Sequence, residues 1–167
     1  MKKIFLLSTL YDRDRGRIFA FYPDLVYVDW QARLISKLRE WGYEVYFKPH
    51  PESQTPPPAK FAELGAKIIQ SRFEDVMDEA DLFLFDYTHT STFMPALQSN
   101  TPLMLIDFVG LTWYKDAYRL AQQRCAIIEG GFDEHNRVKV NWNMVKEGFG
   151  QAIEKCNNHE FYHTYFG

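Results

Sequence analysis

The 167-residue chain has little cysteine: Cys125 and Cys156 are its only two. Two thiols build no disulfide framework and match no metal-ligand spacing. Cys125 lies in an apolar run and is expected to be a buried thiol. No stretch approaches the ~20 consecutive apolar residues of a membrane span. The opening Met1-Lys2-Lys3-Ile4-Phe5-Leu6-Leu7-Ser8 has the look of an export signal. Its apolar run is only about four residues and charges follow, so a core strand is the better reading. A reducing cytoplasm is the expected home. Excess positive charge is missing too. The net charge is −3, which argues against broad nucleic-acid binding, because that needs a basic field over the phosphates. No Gly-rich phosphate motif is present, neither the dinucleotide fingerprint nor the P-loop. A Ser-His-Asp hydrolase would need a Gly-x-Ser-x-Gly elbow, which is absent as well.

Apolar residues make up 46% of the chain and charged residues 25%, a globular balance. Aromatics reach 17%, enough for a dense core and also for an apolar partner-facing surface. The length suits one domain. There is no internal repeat, low-complexity segment or second domain.

Short apolar runs at residues 4–7, 43–48, 66–69, 82–85, 103–106 and 125–128 read as strands. Between them lie helical patterns. A helix is expected from about Asp29, with Asp29 as N-cap and Trp30, Leu34, Leu38 and Trp41 on its apolar face. Gly42 is its stop. Residues 11–24 are charge-rich and read as a long exposed connection. Short helices follow at residues 56–64 and 73–80. Pro95 belongs in the first turn of the next helix, which places that helix start near Ser91 as cap. Further helices are expected at about 116–123 and 142–156, with an extended piece at 138–140. The tail, residues 157–167, is aromatic and expected to be helical at least in part. Strands and helices alternating in this way imply an α/β fold: a single Rossmann-like, doubly wound parallel sheet of about six strands with helices on both faces. In such sheets ligands bind at the carboxyl ends of the strands, beside the switch point between strands one and four.

Two loops should open on that edge. Residues 81–92 read Asp-Leu-Phe-Leu-Phe-Asp-Tyr-Thr-His-Thr-Ser-Thr, a buried strand that ends on Asp86 and delivers Thr88, His89, Thr90 and Ser91 to a helix start. Hydroxyls and free N–H groups there suit a phosphate. Capping alone would explain one hydroxyl rather than four consecutive polar residues. Lys48-Pro49-His50-Pro51 holds His50 on a stiff loop at the end of strand two, where it can donate to a phosphate or act as general acid. The bland alternative is a surface histidine among prolines. A third motif, His159-Glu160-Phe161-Tyr162-His163, fits the H-E-x-x-H zinc pattern. With no third ligand downstream, a docking helix is expected there and no metal site.

Lys48-Pro49-His50-Pro51, then Glu74-Asp75-Val76-Met77-Asp78-Glu79-Ala80-Asp81, then Asp86-Tyr87-Thr88-His89-Thr90-Ser91, resembles the C-terminal, donor-binding half of GT-B glycosyltransferases. The similarity is greatest to the CDP-glycerol glycerophosphotransferase group of teichoic-acid and capsule synthesis, and bacterial sialyltransferases share a similar His-Pro and serine pairing. It covers residues 26–107. The resemblance implies binding of a nucleotide-linked sugar or polyol donor, a cytidine nucleotide being favoured, with no cofactor and no metal. His50 would be the catalytic histidine on the donor phosphate. Lys48, Thr88, His89, Thr90 and Ser91 would hold that phosphate. Two departures stand out. The family's acidic residue in the helix after the hydroxyl loop corresponds here to Pro95, which leaves Asp86 or Asp107 for a ribose or acid role. A GT-B enzyme also uses two Rossmann domains, so an acceptor-binding half or partner protein is implied. The alternative is a non-catalytic interaction module with a vestigial nucleotide site.

Overall fold

Three strands are buried on both faces, as parallel strands covered by helices must be. These are β1 (Lys3–Leu7), β4 (Leu82–Phe85) and β5 (Leu103–Asp107). The computed structural model describes residues 2–9, 11, 22–53, 55–110 and 112–167. Its remaining strands are β2 (Glu44–Lys48), β3 (Lys67–Ile68), β6 (Ala126–Phe132) and β7 (Val138–Val140). The helices are α1 (Asp24–Glu40), α2 (Ala59–Glu63), α3 (Phe73–Val76), α4 (Phe93–Gln98), α5 (Lys115–Arg124), α6 (Trp142–Lys155) and α7 (Glu160–Tyr165). A 3-10 turn, Met77–Glu79, follows α3. No helix among the described residues is long and apolar enough to cross a membrane.

The sheet order is β3-β2-β1-β4-β5-β6-β7. The first six strands are parallel, and β7 returns antiparallel to β6. This is the Rossmann-like order, with the switch point between β1 and β4. The sheet has seven strands rather than about six, because residues 138–140 pair with β6. Asp133 makes that hairpin by accepting the backbone N–H groups of His135 and Arg137, both at 2.9 Å.

Strand alternation divides the core into two clusters, one per face. Ile4, Leu6, Leu82, Leu84, Met104 and Ile106 face α1, α2 and α6. Phe5, Leu7, Phe83, Phe85, Leu103 and Leu105 face α3, α4, α5 and α7. On the first face Trp30 is fully buried, stacked 5.8 Å from Trp142 and edge-on to Phe108 at 5.7 Å. Burying one such ring stabilises the fold by roughly 2–3 kcal/mol. Cys125 is buried on the second face, and burial pushes its thiol up to about 12, so it is inert.

Several local expectations are corrected. Helix α1 starts five residues before Asp29, directly after Pro23. Tyr27 belongs to the same apolar face as Trp30 and Leu34, so the apolar stripe continues upstream of Asp29. Asp29 instead accepts from Arg33 Nη2 at 2.7 Å and Arg137 Nη2 at 2.8 Å, clamping α1 to the β6–β7 hairpin. Desolvation raises its pKa, but the hydrogen bonds from Arg137 and Arg33 outweigh that and hold it below the usual carboxylate range. Of the expected exposed connection, Tyr11 is buried, at 2% exposure. Residues 12–21 lie outside the described residues. Pro95 does sit in the first turn of α4, but the residue before that helix is Thr92, not Ser91, and no side chain caps it.

Candidate functional site

The site is built from the strand ends at the switch point. Leu7, Lys48 and Phe85 lie at one level, since Leu7 pairs with Lys48 on one side and with Phe85 on the other. Just beyond them come Ser8, His50 and Asp86. The sequence-expected residues of β2 and β4 therefore open on one sheet edge.

Alternation sends their side chains to different faces. Tyr46 packs on the α4 side and Phe47 on the α1 side, so Lys48 falls on the α4 side. The residue is 8% exposed. Among the described residues no hydrogen bond or ion pair reaches its ammonium. Desolvation lowers its pKa, and the charge of Glu74 offsets part of that. An ammonium that is partly desolvated and has no hydrogen-bonded partner costs some stability. An anion arriving at the strand ends would remove that cost.

His50 follows, held by the turn after β2. Ser53 N–H donates to the His50 carbonyl at 3.0 Å, and Glu52 N–H donates to His50 Nδ1 at 3.3 Å. That second contact makes Nδ1 the acceptor, so the neutral ring carries its proton on Nε2. Ser53 Oγ accepts from Tyr11 N–H at 3.1 Å and ties this loop to the segment after β1.

The loop after β4 is self-organised rather than capping. Thr90 and Thr92 share a hydroxyl hydrogen bond of 3.0 Å. Thr90 O accepts Phe93 N–H at 3.1 Å, the first turn of α4. The ring of Phe93 meets Phe85 at 5.1 Å and presses α4 onto the sheet on the same side as Lys48. Ser91 and His89 are exposed, Thr88 and Tyr87 half-buried, and the Tyr87 and His89 rings lie 5.4 Å apart.

Asp86 takes the opposite side. It follows Leu82 and Leu84 in the alternation and points toward α1. At 1% exposure it accepts from Gln31 Nε2 at 2.8 Å. Gln31 also accepts from the Tyr11 hydroxyl and approaches Ser8 Oγ at 3.3 Å. Burial raises the Asp86 pKa to about 7, with Gln31 and the Trp30 indole offsetting part of the rise. Asp86 Oδ1 and Trp30 Nε1 nonetheless lack a partner in good hydrogen-bond geometry. Near neutral pH Asp86 is thus divided between acid and carboxylate. Tyr11 and Tyr27 are pushed upward, first by burial and then by the charge of Asp86 among others. The sequence reading missed Ser8, Tyr11 and Gln31.

Asp107 ends β5, two strands from β1. Its Oδ1 accepts Gly110 N–H at 3.0 Å, in a turn where Gly110 has φ 71°. It lies apart from Asp86 by face as well as by strand. Ile106 belongs to the α1-side cluster, so Asp107 is on the α5 side.

His159 and His163 share a helix turn, but His159 Nε2 sits 2.9 Å from Asn100 Oδ1 and Nδ1 sits 3.4 Å from Leu97 O. Both nitrogens of that ring face protein oxygens, which suits a docking helix. Among the described residues no group of three His, Cys, Asp or Glu side chains is placed to hold a metal.

Replacing Lys48 by methionine is expected to stabilise the unliganded protein by about 1 kcal/mol, because it keeps the buried stem and removes the unpaired charge. Urea unfolding at pH 7 reads this directly. A loss of stability would mean that the ammonium has an internal structural partner.

No protein-family model matches the chain, and no curated protein matches it. The likeness to GT-B glycosyltransferases rests on the motifs alone.

Proposed function

We propose that the chain binds the phosphate of a nucleotide-linked sugar or polyol at the carboxyl edge between β2 and β4, as the donor-binding half of a GT-B-type transferase. The observation that carries this reading is Lys48: nine-tenths buried, unpaired among the described residues, and on the same side of the sheet as the hydroxyl loop. The His50 Nε2 proton, the hydroxyls of Thr88, Thr90 and Ser91, and His89 supply further donors at the same edge. A cytidine nucleotide is favoured by the motif resemblance.

The chemistry that follows is a displacement. An acceptor hydroxyl, held by a partner domain or protein, forms the new bond to the sugar carbon or polyol phosphorus and gives up its proton, which ends on the departing phosphate or in solvent. The bond to the nucleoside phosphate breaks, and that phosphate leaves with the electron pair. Lys48 and His50 meet its growing charge, and the hydroxyl loop holds it in place. Asp86 is too buried to touch the donor directly. Its role is to fix Gln31, Tyr11 and hence the segment after β1. No step in this scheme calls for a metal.

One observation favours a second reading, a non-catalytic module that keeps a remnant nucleotide site. Pro95 occupies the first turn of α4, where the resemblance implies an acidic residue.

Thermal unfolding with CMP, CDP and UDP tests the binding claim, since a ligand that binds only the folded state raises Tm by mass action. At a nucleotide concentration of about 100 times Kd the gain is roughly 2.7 kcal/mol, a rise of about 5–10 °C for a chain of this size. The rise should vanish in Lys48→Met and shrink in His50→Ala. No rise at millimolar nucleotide would overturn the reading. A rise that survives in both variants would move the site elsewhere.

A further inference from the structure

Beyond the β2–β4 edge, a cleft of about 450 Å³ opens between the ends of β5 and β6 and the start of α5. Its lining includes Asp107, Gly110, Trp113, Lys115, Tyr118 and Glu129. Asp107 and Glu129 are register partners on adjacent parallel strands. Their Cα atoms are therefore about 5 Å apart and their side chains leave the sheet on the same face. Like charges placed opposite each other in a sheet are destabilising. The Tyr118 hydroxyl lies 3.4 Å from Glu129 Oε1 and donates toward this pair. Burial, then the charges of Glu129 and Asp107, push the Tyr118 phenol upward, so it remains a proton donor. Glu129 has no cationic side chain within ion-pair distance among the described residues.

The wall of the cleft is aromatic and braced from behind. Trp113 packs against Tyr118 at 5.9 Å and against Phe161 of α7 at 6.4 Å. The docked tail thus fixes the indole that lines the cleft. Tyr114, next in sequence, is 87% exposed.

We infer that this cleft binds a neutral sugar or polyol through a vicinal diol. Two adjacent hydroxyls can donate to the two carboxylates that leave neighbouring strands on one face, one to each or both to one. Their oxygens can accept from Lys115 and Tyr118. The apolar C–H face of a sugar ring can lie on Trp113. A divalent cation fits less well, because Lys115 adds a positive charge to the lining of the same cleft. An anion meets two like charges. The site uses none of the residues proposed to hold phosphate, so it stands or falls separately from that reading.

The test is a ¹H–¹⁵N NMR titration of the full chain with methyl β-D-ribofuranoside, which has a cis-diol and no charge. Its 2-deoxy counterpart, which lacks the diol, is the control. The expected result is saturable shifts at the Gly110 and Gly130 amides and the Trp113 indole, with Kd on the order of millimolar. Binding should weaken about tenfold for the 2-deoxy sugar and for Glu129→Gln, as loss of a charge-assisted hydrogen bond implies. Glu129 is exposed, so this variant keeps its fold, which the spectrum itself shows. In Lys48→Met the titration should be unchanged. Equal shifts with the deoxy sugar, no saturable shift with either sugar, or shifts produced only by MgCl₂ or CaCl₂ would each overturn the inference.

Discussion

Replacing Arg124 by alanine is expected to cost about 4 kcal/mol of folding stability, the largest loss of any single change considered for this chain. The guanidinium is fully buried at the end of α5. Its Nε donates to Leu97 O at 3.1 Å, and Nη2 donates to Ala96 O, Ser99 O and Thr101 O at 2.9, 2.8 and 3.0 Å. These are carbonyls of the end of α4 and the turn beyond it, groups that a short helix leaves without internal partners. Desolvation lowers the Arg124 pKa, yet the group stays charged because arginine starts so high. It therefore acts as a cationic cap for α4, delivered from another helix. Alanine would leave four main-chain acceptors without their donor, those of Ala96 and Leu97 in buried contacts and those of Ser99 and Thr101 in part-buried ones. Each buried unsatisfied group costs roughly 1–3 kcal/mol before relaxation or water entry. Lysine, with one compact head in place of a planar fork, should recover less than half of the loss. Urea unfolding of the three proteins checks this. A loss under about 1 kcal/mol for Arg124→Ala would show that the carbonyls find other partners. Because α4 begins directly after the hydroxyl loop, a folded but weakened variant should also bind nucleotide less tightly.

The second large effect is the pH dependence carried by Asp86. Its carboxyl has a folded pKa of about 7 against a reference value of 3.8. Between these values the folded state holds a proton that the unfolded state has released. Stability from this group is then fully present below about pH 4 and is lost as pH rises through 7. The integrated loss is roughly 4 kcal/mol. Most acidic groups with resolved shifts in this chain, such as Asp29 and Asp133, are shifted downward and act the other way, losing stability as pH falls. Asp86→Asn should remove the alkaline loss while keeping a neutral carbonyl for Gln31 to donate to. Its second atom, an amide N–H in the place of Oδ1, has no acceptor and faces burial. The net expectation is a variant about 1–2 kcal/mol more stable than the wild type at pH 8.5 and equal or less stable at pH 5. Unfolding free energies measured from pH 5 to 9 give the crossing. Parallel curves for the two proteins would mean that Asp86 does not titrate in this range.

Much of the architecture was legible because each parallel strand announces itself as a short apolar run. Residues 82–85 are four consecutive apolar side chains, buried on both faces as that pattern requires. The crossover helices between such runs implied a parallel, doubly wound sheet, and the usual order of that fold placed the switch point between strands one and four. Helix α1 was cut short because Asp29 looked like a cap. Pro23 and the first-turn Asp24 mark the true start, and Tyr27 continues the apolar stripe backwards from Trp30 and Leu34. Gln31 was overlooked although a signal existed. It lies four residues after Tyr27 and four before Ile35, on the buried stripe, where a polar side chain needs a partner. That partner, Asp86, is 55 residues away, and no local pattern connects the two. Arg124 hides for the same reason. It reads as an ordinary basic residue at a helix end, while Leu120 and Ala121 show that its face is turned inward. The capping role expected of Ser91 failed at the level of one residue, because Thr90 and Thr92 satisfy each other and leave Ser91 in solvent.

The loop at residues 86–92 and the Lys48–His50 segment do share one sheet edge, as the strand order required. What the fold adds is a division of labour across the sheet. Lys48 and the hydroxyl loop lie toward α4, whereas Asp86 turns away toward α1 and its buried tyrosines. A phosphate on the α4 side would pair the lysine without meeting the carboxylate.

Crystals soaked in a cytidine diphosphate solution give the most direct test of the donor-site proposal. The expected result is phosphate density within hydrogen-bond distance of Lys48 Nζ and His50 Nε2, with at least one hydroxyl of Thr88, Thr90 or Ser91 completing its shell. Density for the nucleotide at any other place, or none at saturating concentration in crystals whose strand-end edge is open to solvent, would contradict the account.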